Sequence, residues 1–254
     1  MIDTHAHYDD PAFEEDREEL LRGLFGNGGL KAAITIGCSL QSCLSSISLA
    51  HRFPGLFCAV GYHPEFAFQT DIDFLKACLD DPKVVAIGEI GLDYHYEDNP
   101  PKDVQSEALH AQMELAEAYS LPVAIHDRDA HGDIMDAVRA HPGVTGVFHS
   151  YSGSWEMAKE LLKRGWYISF SGVVTFKNAR QAVEVAKNVP HDRYLTETDC
   201  PYLAPVPFRG KRNDSGLMRH TLQAVADIRG IPFEQAEAET EANATRLFRL
   251  PVRP

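Results

Sequence analysis

Several features are scarce in this sequence of 254 residues, and each scarcity removes a class of protein. The five cysteines form an odd number and no CxxC pair occurs, so neither a disulfide framework nor a zinc ribbon is expected. No apolar run is long enough to span a bilayer, and the first residues lack a basic stretch followed by an apolar segment. We therefore predict a reduced, cytoplasmic protein that has no membrane segment.

Positive charge is also scarce, because 24 lysines and arginines stand against 37 acidic residues and leave a net charge of -13. Proteins that bind phosphate backbones or anionic membranes without specificity are usually basic. Acidity commonly serves only solubility, and a nucleic-acid substrate would need locally placed cations or bound metal. No linker rich in Gly, Ser or Pro divides the chain, so we predict one domain over residues 1–254.

Short apolar runs alternate with amphipathic stretches, which is the pattern of a parallel sheet covered by helices. The runs that predict strands are the opening MIDTH and residues 30–37, 56–61, 84–92, 122–126, 143–149, 166–172 and 193–199. The stretches that predict helices are 13–25, a segment ending at 53, 71–79, 104–120, 131–140, 154–164, 178–188, 214–229 and 233–248. Eight strand–helix units predict a (β/α)8 barrel of the TIM type. A doubly wound open sheet is the alternative, although no GxGxxG opens a first helix.

Six of the eight predicted strands end in histidine or an acidic residue. A single residue of this kind often only caps a helix or faces solvent, but the carboxyl ends of barrel strands converge on one rim. Imidazole and carboxylate together are typical ligands of divalent first-row metals, and this many exceed the four that one zinc takes. The pattern therefore predicts a centre of two ions. The strand-end residues are His5, His7, His63, Glu89, His126, His149, Glu197 and Asp199.

The order of the strands assigns these ligands to the two ions. Glu89 lies on the fourth strand and is the natural bridge between ions that stand roughly 3.5–4 Å apart. A water shared by two such ions has its pKa lowered from about 15.7 to about 7, so it would attack as hydroxide at neutral pH. The remaining ligands divide into one set for each ion: His5, His7 and Asp199, and His126 and His149.

Two acidic residues of the eighth strand have predicted roles in proton transfer. Asp199 would take the proton of that water while it binds metal. Glu197, two residues earlier on the same strand face, would orient water or act as a base behind the ligands. The ligand types do not choose among Mg²⁺, Mn²⁺ and Zn²⁺, because nitrogen favours zinc whereas phosphate chemistry often uses the other two.

Taken together, these motifs resemble the TatD family of metal-dependent hydrolases and deoxyribonucleases, within the wider amidohydrolase-like barrels. The resemblance implies a TIM-like barrel that binds two divalent ions, or three during turnover, and cleaves phosphodiester bonds, often as a 3′–5′ exonuclease. It implies the same six metal ligands and matches Glu197, and it assigns His63 to the substrate phosphate rather than to metal. The matching stretches follow one another along nearly the whole chain: IDTHAHYD (2–9), VGYHPEF (60–66), AIGEIGLDYHY (86–96), LPVAIHDRDA (121–130), FHSYSG (148–153), YISFSGVVTFKNA (167–179), TETDCPYLAP (196–205) and RGKRND (209–214).

A few cations follow the predicted strands on the same rim. Most surface cations are simply solvated, yet here they would hold phosphates while the rest of the surface stays acidic. We therefore predict weak, transient binding of DNA, as a single strand or at 3′ ends, by a protein for which a monomer is favoured. The residues predicted to bind this substrate are Arg128, Lys177, Arg209, Lys211 and Arg212.

Two other functions fit parts of the sequence. An ester or amide hydrolase, such as an aminoacyl-tRNA deacylase or a small-molecule amidohydrolase, would use the same kind of centre. Related barrels of that type often bridge their metals with a carboxylated lysine, and the fourth strand here carries Glu89 instead. A catalytically silent metal-binding protein would show gaps in the ligand set, and the sequence has none.

Overall fold

The computed structural model describes residues 1–251, in which eight parallel strands form a nearly closed barrel with alternating helices. The predicted (β/α)8 architecture of the TIM type is confirmed. The strands are β1 (Ile2–Ala6), β2 (Ala32–Ile36), β3 (Leu56–Val60), β4 (Val84–Asp93), β5 (Val123–Arg128), β6 (Gly146–Phe148), β7 (Tyr167–Phe170) and β8 (Tyr194–Thr196). The α-helices of this range are α1 (Arg17–Gly26), α2 (Leu40–Arg52), α3 (Ile72–Cys78), α4 (Lys102–Tyr119), α5 (His131–Ala140), α6 (Trp155–Lys163), α7 (Arg180–Asn188), α8 (Met218–Arg229) and α9 (Phe233–Phe248).

The strands pair in chain order, and the last one returns to the first. The closure lies just beyond β8, where Ala6 and Cys200 form a parallel bridge. The backbone N–H of His7 donates to the carbonyl of Cys200 at 2.8 Å, and that of Asp199 donates to the carbonyl of His5 at 2.9 Å. The closing hydrogen bonds therefore run through the residues that sequence analysis selects as metal ligands.

Some elements begin or end away from their predicted positions. The predicted helix 13–25 begins only at Arg17, because a short 3₁₀ helix with proline at its first position, Pro11–Phe13, comes before it. The last strand was predicted to reach residue 199 but ends at Thr196. The chain beyond it stays bonded to the barrel through the backbone N–H groups of Glu197 and Asp199, but the left-handed φ of 58° at Asp199 interrupts the regular strand.

The apolar core is arranged so that one end of the barrel is covered. One cluster joins early residues of the strands, among them Ile2, Phe57 and Leu195, to Leu247 and Phe248 at the end of α9. This helix therefore packs over the amino ends of the strands. The carboxyl ends, where the strand-end histidines lie, open into cavities.

A glycine on β4 brings two of the site-bearing strands together. Gly91 has a φ of 152°, and a Cβ there would overlap the carbonyl oxygen of His126 on β5. Only glycine combines this backbone conformation with so close an approach. The approach sets Glu89 of β4 beside His126 of β5.

Between residues 1 and 251, no helix has both the length and the apolar character that a membrane crossing requires. The single domain over residues 1–254, the cytoplasmic location and the monomeric state stay predictions.

Candidate metal centre

The first group of candidate ligands comes from the two strands that close the barrel. His5 lies on β1, His7 follows it, and Asp199 lies in the turn after β8. The Nε2 atoms of His7 and His5 stand 3.3 and 3.7 Å from Oδ1 of Asp199. Two histidines two positions apart project to the same side, as expected at the end of a strand. The structure brings these three predicted residues together.

Glu89 lies between this group and the second one. Its Oε2 stands 3.3 Å from Nε2 of His5, whereas its Oε1 stands 2.8 Å from Nδ1 of His126 and 2.7 Å from Nε2 of His149. Each carboxylate oxygen therefore faces a different set of histidines. The side chain is buried, so its charge has to be balanced by these neighbours.

The charge state of the carboxylates suits cation binding. Burial alone would raise the pKa of Glu89, but the surrounding histidines, His149 and His5 foremost, hold this pKa well below its ordinary value. Burial and a hydrogen bond with His7 oppose each other at Asp199 in the same way, and the pKa is again lowered. Both side chains are therefore ionised at neutral pH.

Asp93 is a member of the site that sequence analysis missed. Its Oδ2 stands 3.1 Å from Nε2 of His126, and its Oδ1 accepts from the backbone N–H of His95 at 2.9 Å. A carboxylate behind a ligating histidine fixes the ring and the position of its proton. The sequence signal was present, since Asp93 follows Glu89 by four positions on one strand and shares its face.

Glu197 lies behind His149 rather than beside the open cavity. Its Oε1 stands 3.4 Å from Nδ1 of His149 and accepts the backbone N–H of Ser150 at 2.6 Å. The side chain is completely buried. This position favours the orienting role over direct proton transfer with water.

His63 lies after β3 at the edge of the cavity, with its ring 4.5 Å from that of His126. Burial lowers the pKa of His63 to about 3, so the ring is neutral at physiological pH. Its Nδ1 accepts the backbone N–H of Glu65 at 3.3 Å. The proton of the neutral ring therefore resides on Nε2, which is free to donate to an anion.

Cys38 is a second residue that sequence analysis did not select. Its Sγ stands 3.8 Å from Nδ1 of His7 and 4.0 Å from Oε2 of Glu89. Burial raises the pKa of this thiol to about 11, which keeps it neutral and unsuited to act as a nucleophile.

Unpartnered polar atoms test whether this centre fits a metal. Within residues 1–251, the buried Nε2 of His5 and Oε2 of Glu197 have no hydrogen-bond partner. Leaving such an atom unpaired costs about 1–3 kcal/mol, so native proteins rarely tolerate it. A cation between His5, His7, Glu89 and Asp199 would satisfy the nitrogen of His5, and the mixed imidazole and carboxylate donors suit a divalent ion. These residues therefore fit a divalent metal ion.

Some of the predicted substrate-binding cations line cavities beside the candidate metal centre. Arg128 lines a groove of about 680 Å³ beside His126 and His149, with its guanidinium 5.1 Å from the ring of Tyr96. Arg209, Lys211 and Arg212 line an adjoining cavity.

Two of the five predicted cations are less available to a substrate than the others. Arg212 forms a salt bridge to Asp16 at 2.6 Å, which largely cancels its charge. Lys177 is exposed and lines none of the cavities beside the centre. Arg180, which sequence analysis did not select, lines the same groove as Arg128.

Comparison with known proteins shows which proteins this chain is similar to. Residues 2–249 match the family model described as TatD related DNase. The uncharacterized metal-dependent hydrolase YabD of Bacillus subtilis is 37% identical over 98% of this chain and 99% of its own length. The uncharacterized metal-dependent hydrolase YcfH of Escherichia coli is 33% identical over 98% of this chain and 96% of its own. The crystal structure of YjjV, a TatD homolog from Escherichia coli, superposes with a TM-score of 0.91 at 29% identity, covering 99% of this chain and 98% of that one.

Proposed function

Because the chain belongs to the TatD family of metal-dependent hydrolases, we propose that it is a deoxyribonuclease that removes nucleotides from the 3′ ends of DNA. The observation that carries this proposal is the position of Glu89, whose two oxygens face two separate groups of histidines. Such a carboxylate is suited to bridge two divalent ions, the arrangement used for in-line displacement at phosphorus.

The ligands would divide between the ions as the sequence predicts. Glu89 would be a ligand of both ions. The ions would be Mg²⁺, Mn²⁺ or Zn²⁺, and a third ion would join during turnover. Divalent cations held there would polarise the phosphoryl oxygens and lower the pKa of water. The separate sets are His5, His7 and Asp199 for one ion, and His126 and His149 for the other.

The other residues of the site bind and orient. Asp199 would accept the proton of the attacking water, since its ionised carboxylate faces the open cavity. His63 would donate its Nε2 proton to a non-bridging oxygen of the phosphate. Asp93 and Glu197 would hold the rings of His126 and His149 from behind.

The proposed reaction is the hydrolysis of a phosphodiester bond. The oxygen of water bonds to phosphorus, and the bond from phosphorus to the 3′ oxygen of the preceding nucleotide breaks. That oxygen leaves with a proton, and the released nucleotide keeps the phosphate on its 5′ carbon. Arg128 and Arg180 in the neighbouring groove support a substrate that continues as a polyanion beyond the site of cleavage.

The direct test removes metal with a chelator and then restores Mg²⁺, Mn²⁺ or Zn²⁺ separately. The readout is the length of a 5′-labelled single-stranded oligonucleotide, resolved on a gel over time. We expect stepwise shortening that depends on the added ion. Stoichiometric metal binding without any cleavage would reject DNA as substrate and favour an ester or amide instead.

A further inference from the structure

Two cavities meet at the candidate centre, and both are lined by His126, His149 and Asp199. They continue in different directions from it. One, the acidic chamber, has a volume of about 390 Å³ and is lined further by Asp9, Asp10, Ser39, Ser42, Glu65 and Phe66. The other, the arginine groove, has a volume of about 680 Å³ and is lined further by Tyr96, Arg128, Ser150, Ser152, Phe176 and Arg180.

Two carboxylates of the acidic chamber, those of Asp9 and Asp10, are held in place by hydroxyl groups. Oδ2 of Asp9 accepts from the hydroxyl of Ser42 at 2.5 Å, and Oδ2 of Asp10 accepts from the hydroxyl of Tyr202 at 2.7 Å. Among residues 1–251, no lysine or arginine lines this chamber, and Arg17 nearby donates to the backbone carbonyls of Asp9 and Asp10. The chamber therefore presents fixed negative charge beside the reacting phosphate.

The arginine groove has the opposite character. Within the part of the chain that the structure describes, neither Arg128 nor Arg180 forms a salt bridge, and both are exposed. Asp127 also lines the groove, but its carboxylate is paired with His131 at 2.8 Å. The hydroxyls of Ser150 and Ser152 add neutral groups. This side of the centre is therefore the side on which a phosphate backbone finds attraction.

This difference gives the substrate a direction. On the basis of the proposed DNA cleavage, we infer that the acidic chamber takes the terminal nucleoside and selects an end that carries a free 3′ hydroxyl. The arginine groove then holds the phosphates of the remaining strand. A 3′ hydroxyl is neutral and can donate to a carboxylate, whereas a 3′ phosphate would bring a further negative charge beside Asp9, Asp10 and Glu65. The chamber volume lies in the range of about 300–1,000 Å³ typical of small-molecule sites.

The test uses three 5′-labelled oligonucleotides of one sequence that differ only in their 3′ ends. One end is a hydroxyl, one is a methyl ether, and one is a phosphate. We expect single-turnover cleavage of the phosphate end to be at least about tenfold slower than that of the methyl ether, which adds bulk without charge. The ratio should shrink as salt is raised from about 0.05 to 0.5 M, because salt screens exposed charges.

Variants link the ratio to the chamber. In the double variant Asp9→Asn, Glu65→Gln, the phosphate end should lose most of its disadvantage relative to the methyl ether. Because the readout is a ratio within one enzyme, a general loss of activity cancels. Glu107→Gln, which removes an exposed carboxylate of α4, is the matched control and should leave the ratio unchanged.

The cleavage rates of the three oligonucleotides test the selection of the 3′ end separately from the proposed deoxyribonuclease activity. Cleavage of all three ends at one rate, equal slowing by methyl and phosphate, or a ratio that the double variant does not move would overturn the inference alone. Absence of cleavage with every ion and every end would overturn both.

Discussion

Two buried carboxylates near the end of the barrel, Asp3 and Glu89, are surrounded in different ways. Asp3 accepts hydrogen bonds from the backbone N–H of Thr198 at 3.0 Å, and from the hydroxyls of Thr198 and Ser215 at 2.6 Å each. Glu89 instead faces histidine nitrogens, and one of them, Nε2 of His5, has no hydrogen-bond partner in the described residues 1–251. A buried carboxylate that hydroxyl and backbone N–H groups satisfy belongs to the scaffold, whereas one surrounded by metal-binding imidazoles, one of them unpaired, fits a cation.

Position in the sequence does not separate a scaffold residue from a candidate metal ligand. Asp3 and His5 stand on the same face of β1, two positions apart, and both are fully buried. Only the partners differ: Asp3 accepts from Thr198 and Ser215, which follow β8, whereas His5 faces Glu89 of β4 and Asp199. The two kinds of buried carboxylate should therefore respond differently to substitution.

The largest effect is expected for Glu89→Ala. This change removes the carboxylate shared by the two groups of ligands, so at least one metal equivalent should be lost and turnover should fall by at least about a thousandfold. Metal content is measured by elemental analysis and the fold by circular dichroism. Full activity in this variant would contradict the bridging role.

Asp93→Asn should have a smaller effect on the same centre. The amide cannot accept the proton of His126 as an anion does, so metal affinity should fall by about 10–100-fold. Calorimetric titration of the metal-free protein measures this affinity. Asp133→Asn is a suitable control, because Asp133 binds the exposed hydroxyl of Tyr94 instead of a histidine. Equal affinity in the two variants would show that Asp93 does not position His126.

Asp3→Ala should lower the stability of the protein and leave its metal content unchanged, because Asp3 belongs to the scaffold. This change leaves the buried hydroxyls of Thr198 and Ser215 without their acceptor, which should lower the free energy of unfolding by about 2 kcal/mol. Metal stoichiometry should stay that of the unaltered protein. Urea denaturation and elemental analysis provide the two readouts, and a loss of metal without a loss of stability would place Asp3 in the centre.

The smallest effect concerns two arginines that sequence analysis treated alike. Arg128→Ala should weaken binding of single-stranded DNA by a few-fold and reduce its dependence on salt by about one phosphate contact. Arg212→Ala should change neither, because its guanidinium is already paired with Asp16. Titration of a labelled oligonucleotide at several salt concentrations measures both. An equal loss of DNA affinity in the two variants would contradict the different roles of Arg128 and Arg212.

Much of the site could be predicted because the fold gathers it by a simple rule. Strands of a barrel end on one rim, so the histidines that end β1, β5 and β6 had to meet there. Glu89 followed from the same rule, as a carboxylate on the strand between them. The barrel itself followed from eight repeats of strand and helix.

The remainder depended on contacts between distant segments. Asp93 was missed because the predicted strand ended at 92, one residue before it. The pairing of Arg212 with Asp16 joins two loops that no local pattern relates. Cys38 became visible as a neighbour of His7 only when β2 was placed beside β1. For Arg212 and Cys38 the missing information was a side-chain partner, and for Asp93 it was the last residue of a strand.

The closing hydrogen bonds between β1 and the turn after β8 have a consequence for the order of assembly. His5 and Asp199 are 194 positions apart, the difference between their residue numbers, and their backbones bond directly. A ribosome that adds about 5–20 residues per second needs roughly 10–40 s to travel from one to the other. Throughout that interval the nascent chain has its first two histidines but lacks the carboxylate that completes their set. A metal ion at this set of ligands would therefore be bound by a nearly complete barrel, not by the short histidine motif that leaves the ribosome first.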